Sequence, residues 1–362
     1  MEEIMEINSH TTDASCDICD EYYSYTRKKT VFIIALVIVI ILCIGIAASS
    51  GSADVTLPDA YNSILGKIFP ESSESSWTAD VCLWKLRFPR IFMALFTGIA
   101  LGVAGCAMQG ALKNPLADPY MLGVASAAGL GATIAIVFGA GILAGTYLII
   151  GNAFLFSLAA AGVIILIGEK KDGSAEAMIL TGIALMFFFQ AVTTFIAYFA
   201  DSEAVKSAMF WMVGDLGKTS WGDFYYVIPI VAVVVPFIIW KSWDLNIVGG
   251  GDESAMSLGI NVKHFRIMIV GLSSLLVAGV VSFVGAIGFI GLVSPHICRL
   301  IIGGDNRFLI PASGLMGAVF LIISDTIART ALSPVIIPVG VITAFIGVPF
   351  FVYLILFGRA KC

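Results

Sequence analysis

Charged residues are scarce in this sequence: Asp, Glu, Lys and Arg make up 12% of its 362 residues, where a water-soluble domain carries roughly 25%. With 59% hydrophobic residues and a mean hydropathy of +0.98, that scarcity excludes an ordinary soluble globule and implies an integral membrane protein. Histidine is scarcer still. His10, His264 and His296 stand far apart, and neither HExxH nor GxSxG occurs, which excludes the zinc-protease helix and the serine-hydrolase elbow. A nucleotide loop is missing too. Gly217-Lys218-Thr219 resembles the end of GxxxxGK[ST], but Met212 occupies the position of the first glycine and no strand-like run precedes it. The seven cysteines imply no disulfide framework, because Cys43, Cys82, Cys106 and Cys298 lie in or beside apolar runs where they act as small hydrophobes. Cys16-Asp-Ile-Cys19, with His10 upstream, has the form of a metal or redox motif but lacks a second ligand pair. No catalytic residue, cofactor, metal site or nucleic-acid partner is expected.

What is present is a series of long apolar runs. An acidic tail over residues 1–30, holding Glu2, Glu3, Glu6, Asp13, Asp17, Asp20 and Glu21, is expected to be disordered. The net charge of -5 is dominated by it. Arg27, Lys28 and Lys29 then precede the first of ten candidate spans. These are Val31 to Ala48, Phe88 to Ala111, Met121 to Ala140, Gly145 to Ile167, Ala177 to Ala200, Phe224 to Ile239, Ile267 to Phe283, Ile287 to Ile302, Phe308 to Ala328 and Val339 to Phe357. Residues 31–358 therefore read as an all-α, polytopic bundle of about ten transmembrane helices. Three cations before the first span, and Arg359 and Lys361 after the last, place both termini in the cytoplasm. With ten alternating spans, seven of the 20 Lys and Arg fall outside, among them Arg87, Arg90 and Arg329, and the remainder inside.

Polar groups within the spans are few. Asp325 is followed by Arg329 at i+4 on one helix face, which reads as a self-neutralising pair before it reads as a proton relay. Gln109, Asn152 and Gln190 either line a pathway or join helices. Gly98 with Gly102, and Gly141 with Gly145, have the small-xxx-small spacing of close helix packing.

The stretch from Trp240 to Arg266 is too long and too polar for a simple turn between spans. Gly249, Gly250 and Gly251 break any helix entering it. Asp252 is placed to cap a short amphipathic helix through Glu253, Ala255, Met256 and Leu258, which Gly259 ends. A cytoplasmic helix of this kind, on a chain with no energy source of its own, suggests a docking surface for a separate energy-supplying protein.

LRFPR (Leu86 to Arg90), GVAGCAMQGALKNPLADPYMLGVASAAG (Gly102 to Gly129), GGGDESAMSLGINV (Gly249 to Val262), GAIGFIGLVSPHICRLIIGGDNR (Gly285 to Arg307), IPVG (Ile337 to Gly340) and GVPFFVYLI (Gly347 to Ile355) resemble, in that order, the FecCD-type ABC permeases that import iron chelates and cobalamin. The resemblance covers nearly all of residues 31–358. It departs at DNR, Asp305 to Arg307, where DHR is common. It implies the type II importer permease fold and a second permease copy or close relative. It also implies two cytoplasmic ATP-binding subunits and an external solute-binding protein. Carried over by position, it puts Asp252, Glu253, Ala255, Leu258 and Gly259 in an ATPase-coupling helix, and Arg87, Arg90 and Arg329 opposite acidic residues of the binding protein. The fifth span, with Gln190, becomes a pathway wall, and Gln109 is a further candidate. Asn114-Pro115 and Asp118-Pro119 shape an inner turn. A stand-alone, gradient-driven carrier is the alternative reading of the same bundle.

Overall fold

The computed structural model describes residues 2–51 and 77–357, with Pro58 and Ser63 between them; side chains are described from Tyr25 onward apart from Ala79, Thr146, Leu354, Ile355 and Phe357. The candidate Cys16/Cys19 motif, most of the polar interval after the first span, and the terminal Arg359 and Lys361 lie outside the described side chains.

Each of the ten apolar runs falls on one helix. They are α1 (Glu2–Ser49), α2 (Phe88–Ala111), α3 (Val124–Phe138), α4 (Leu148–Lys170), α5 (Ala175–Phe199), α7 (Phe224–Trp240), α10 (Val262–Val284), α11 (Ile290–Ile302), α12 (Asn306–Thr330) and α13 (Val339–Phe357). Three shorter helices lie between them: α6 (Ser202–Met212), α8 (Ser242–Gly249) and α9 (Asp252–Ser257). Among the described residues no strand occurs, and seven helices are long and apolar enough to cross a membrane, while α3, α11 and α13 are shorter apolar helices. The turn Trp77–Val81 and the π-helical segment Cys82–Arg87 run directly into α2. Helix α1 begins in the acidic tail, where composition predicts no structure. Neither Gly nor Pro occurs between residues 2 and 44 to interrupt it.

Helix α2 forms the centre of the bundle and packs on α12, α10 and α11; α3 and α4 pair with each other against α10, and α5 leans on α3. Glycines make the central contact. A Cβ at Gly98 would stand 2.5 Å from the Ala318 Cα and the Gly317 carbonyl oxygen, and one at Gly102 would overlap the Ser313 carbonyl. A Cβ at Gly105 would overlap Gly291 of α11 in the same way. The two backbones touch because no side chain stands between them. The second pair expected from spacing does not form, since Gly141 and Gly145 lie in the connection between α3 and α4, after Gly139 has ended α3 in the left-handed conformation (φ 60°).

The bundle is unevenly filled. The most apolar window of Cys82–Ala111 is 78% buried, whereas that of Ala175–Phe199 is 11% buried. Helix α5 thus touches the body chiefly through Met178, Gly182 and Thr193, and exposes Phe187, Phe188, Phe195, Tyr198 and Phe199.

Candidate functional site: two arginine clusters and a short exposed helix

The functional groups gather at the two ends of the bundle, named here for the carboxylates at their centres, Asp252 and Asp325. At the Asp252 end, α8 occupies the first part of the polar stretch and ends at the three glycines. Asn246 of α8 donates to Asp305 (2.9 Å) and accepts from the Asn306 N–H (2.8 Å), while Arg307 stacks on Trp243 (4.2 Å). Lys29, almost fully buried, reaches Asp305 at 3.3 Å. Burial alone would raise the Asp305 pKa. The hydrogen bonds from Arg307 and Asn246 and the Lys29 charge outweigh it and hold the carboxyl well below the usual range.

Helix α9 follows Gly251, whose φ of 137° excludes other residues at low cost. Its far end is a Schellman turn: the Gly259 N–H donates to the Met256 carbonyl (3.0 Å) and the Ile260 N–H to the Ala255 carbonyl (3.0 Å), with Gly259 at φ 85°. Gly259 therefore ends the helix as predicted. Asp252 does not cap it. Gly251 holds the cap position, and the Asp252 carboxylate instead meets Lys113 Nζ (2.7 Å) and Arg266 (3.1 Å), because two full charges outcompete a backbone N–H. The Lys113 hydrogen bond, with Arg266 behind it, holds the Asp252 carboxyl below its usual range. Of the remaining predicted residues, Ala255 is buried against the body, and Glu253, Leu258 and Gly259 face outward with Met256.

Arg266 was read from sequence only as an inner-side cation. It is buried (4% exposed), and its Nε donates to the Ala111 carbonyl at the end of α2 (2.8 Å), one guanidinium nitrogen to the Gly173 carbonyl (2.6 Å) and the other to Asp252. A polar cavity of about 460 Å³ opens beside it, lined in part by Lys113, Asn114, Ser174 and Glu176. In the turn between α2 and α3, the Asn114 carboxamide accepts from the Leu116 N–H (2.9 Å). Nearby Asp118 is buried, and burial pushes its carboxyl up to about 6 against the opposing backbone hydrogen bond from Tyr120.

At the Asp325 end the three arginines expected to face a partner are brought together, but inward. Arg90 Nε meets Asp325 Oδ1 at 2.6 Å and Arg329 Nε meets Oδ2 at 3.1 Å. Arg329 also donates to the Ser50 (2.9 Å) and Ala47 (3.1 Å) carbonyls, and Arg87 to the Ala48 carbonyl (2.5 Å). All four side chains are buried. The last carbonyls of α1 lack helical partners, and the Arg87 and Arg329 guanidinium groups bind them. The Asp325–Arg329 pair stands as read, with Arg90 as a third member that sequence spacing does not reveal.

The two glutamines separate. Gln109 is buried, donates to the Gly291 carbonyl (3.3 Å) and accepts from Arg299 (3.1 Å), so it joins α2 to α11. Gln190 is exposed on α5, beside a surface cavity of about 740 Å³ with Phe187, Thr194 and Tyr198. Asn152 holds the chain after α3, donating to the Ala140 carbonyl at 2.8 Å. Gly217-Lys218-Thr219 lies in a turn in which the Gly217 N–H is bound by Asp215 (2.7 Å), not in a strand-to-helix loop. Among the described residues no three His, Cys, Asp or Glu side chains are grouped to hold a metal ion.

The chain is similar in sequence and fold to proteins named as transporter permeases. A protein of Methanocaldococcus jannaschii provisionally described as an ABC transporter permease is 40% identical over 349 residues, 94% of this chain and 98% of its own length. The cobalamin import system permease BtuC of Halobacterium salinarum is 38% identical over 77% of this chain and 74% of its own length. The hemin transport system permease HmuU of Yersinia pestis is 33% identical over 90% and 95%. Among solved structures, an inward-facing transporter provisionally described as metal-chelate type ABC superposes with a TM-score of 0.78 at 28% identity, covering 90% of this chain and 98% of that one. The model of the FecCD transport family matches residues 35–357, and the chain belongs to that family.

Proposed function

We propose that this chain is the translocation subunit of an ATP-driven importer in the cell membrane, with both termini in the cytoplasm. Two copies pair around a central pathway, two cytoplasmic ATP-binding subunits grip the Asp252 end, and an external solute-binding protein delivers cargo to the Asp325 end. The permease domain is residues 31–358. The observation that carries this reading is α9: a six-residue helix between glycines, with Glu253, Met256 and Leu258 exposed, on a chain of the FecCD family with no nucleotide loop. Such a surface suits a partner that pushes. The outer arginines then set the position of the α1 end on which the binding protein lands, and Gln190 with the exposed face of α5 forms the wall that cargo passes.

The cargo is a metal chelate, a ferric siderophore first, with cobalamin or haem next. Relatives named for cobalamin and hemin transport support that class. A proton-coupled carrier is disfavoured by Asp325, whose two oxygens are each held by an arginine and so are poorly placed to accept and release a proton.

The test is purification of the tagged chain from its native membrane, followed by reconstitution in vesicles. ATP-hydrolysing subunits should co-elute, and uptake of ferric siderophore should require ATP and the binding protein, with labelled cobalamin as the comparison cargo. Accumulation of solute by the chain alone, without nucleotide, would overturn the proposal.

A further inference from the structure

We infer that Arg266 is a positioning residue that ties the exposed helix α9 to the end of α2 and to the start of α5, so that displacement of α9 reaches the pathway wall through one guanidinium. The inference rests on the coupling role proposed for α9. It assigns to a residue outside that helix the task of passing its motion on.

Three features of the geometry support it. First, the anchors are on separate elements: Asp252 on α9, the Ala111 carbonyl on α2, and the Gly173 carbonyl in the connection before α5. A guanidinium is planar and its donors are fixed in direction, so three bonds to one fork hold three elements in one relative position. The group is buried, so water competes poorly for these bonds.

Second, α9 has little else to hold it. Gly251 and Gly259, at φ 137° and 85°, border it on either side, and Ala255 is its one buried side chain. The Lys113–Asp252 pair is a parallel tie. Lys113 is about one-third exposed and its bond is a single contact, so it fixes distance more than orientation.

Third, the loop before α5 is pressed onto the first turns of α10. A Cβ at Gly173 would stand 2.8 Å from the Lys263 Cα, and Lys263 Nζ lies 3.5 Å from both Glu169 and Asp172. Ser174 then caps α5 through the Ala177 N–H (3.3 Å). Since α5 buries few side chains of its own, the position of that loop decides where the end of α5 sits.

The test uses the co-purified complex with its ATPase subunits in lipid nanodiscs. A reporter, Gln190→Cys on the exposed face of α5, is labelled with a charged maleimide and quantified on its own peptide by mass spectrometry. With otherwise wild-type sequence, ATP plus vanadate should change labelling by about threefold or more. In Arg266→Lys, which keeps the charge and loses the fork, the nucleotide-dependent change should fall to within about 1.3-fold while ATPase subunits still co-elute. A residue needed only for folding would lower the yield and leave the ratio per assembled complex unchanged. If Arg266→Lys fails to assemble, Asp252→Ala removes the same link from the more exposed side and should also abolish the change. Retention of the full change in either assembled variant overturns the inference, as does a reporter insensitive to nucleotide in a complex that hydrolyses ATP. Absence of any ATPase from the wild-type preparation would instead sink the proposed function itself.

Discussion

Two arginine clusters hold opposite ends of the bundle, and they differ in what they hold. At the Asp325 end, Arg87 and Arg329 bind the last carbonyls of α1 and the one that follows it, and Arg90 and Arg329 share one buried carboxylate. At the Asp252 end, Arg266 is equally buried, yet its carboxylate partner sits on a short helix that faces outward and is about 44% exposed at its side chain. One cluster closes on itself; the other extends a hand to the solvent. A closed buried cluster stabilises a single arrangement, because any opening strands a charge in a low-dielectric interior. A half-exposed one can be displaced at small cost, which suits the end where a partner is proposed to act.

The sharpest way to break this comparison is to remove the two carboxylates in turn. Asp325→Ala leaves Arg90 and Arg329 buried without a counter-charge and should cost about 3–5 kcal/mol, seen as loss of folded protein or a large fall in thermal midpoint in detergent. Asp252→Ala should cost less in the same assay, because that carboxylate is about 44% exposed and Arg266 keeps two backbone carbonyls as partners. Equal losses would show that the two ends are alike. Gly102→Leu drives a side chain into the Ser313 backbone and should cost about 1–3 kcal/mol or more, read as reduced yield of monodisperse protein.

Smaller in stability but larger in function are substitutions on α9. Leu258→Asp, at a side chain 69% exposed, should leave the thermal midpoint unchanged to about 0.5 kcal/mol. It should nevertheless weaken retention of ATPase subunits by about tenfold or more, since a hydrophobic contact at an interface is replaced by a charge. Gly259→Pro should act likewise, because proline holds φ near -65° where the chain needs 85°. Normal uptake in both variants would remove α9 from the coupling role.

A pH dependence of opposite sign is expected at Asp252 and Asp118. Asp252 has a lowered pKa, so its contribution is present above the ordinary value of 3.8 and is lost as pH falls through the folded value. Asp118 has a pKa raised to about 6, so ionising it costs stability, and stability declines as pH rises from 3.8 to about 6. Asp118→Asn should therefore flatten the decline between pH 4 and 6, and Asp252→Asn the loss below pH 4, in thermal scans across that range. A flat profile in the wild type would refute both assignments.

Much of the architecture is legible in the chain because an apolar run long enough to cross lipid can satisfy its backbone only as a helix. Local pairings are legible for the same kind of reason: Asp325 and Arg329 lie one turn apart, and Gly259 ends α9 because few other residues accept its φ. What is not legible depends on distance along the chain. Arg90 is 235 residues from Asp325 and Arg266 is 155 residues from Ala111, so no periodicity points from one to the other. Gln109 accepts from Arg299, 190 residues away, a pairing that its place in an apolar run does not reveal. The α8 helix is not legible because SWDLNIVG mixes polar and apolar residues without a clear period.

The glycine seam between α2 and α12 has a mechanical corollary. With main chain lying directly on main chain, there is no compressible layer of side chains between them, and the two helices act as one stiff spar. Shape change in the working protein must then be taken up at looser seams, those around α5 first. A crosslink bridging α2 and α12 should leave transport untouched, while one fastening α5 to α3 should stop it.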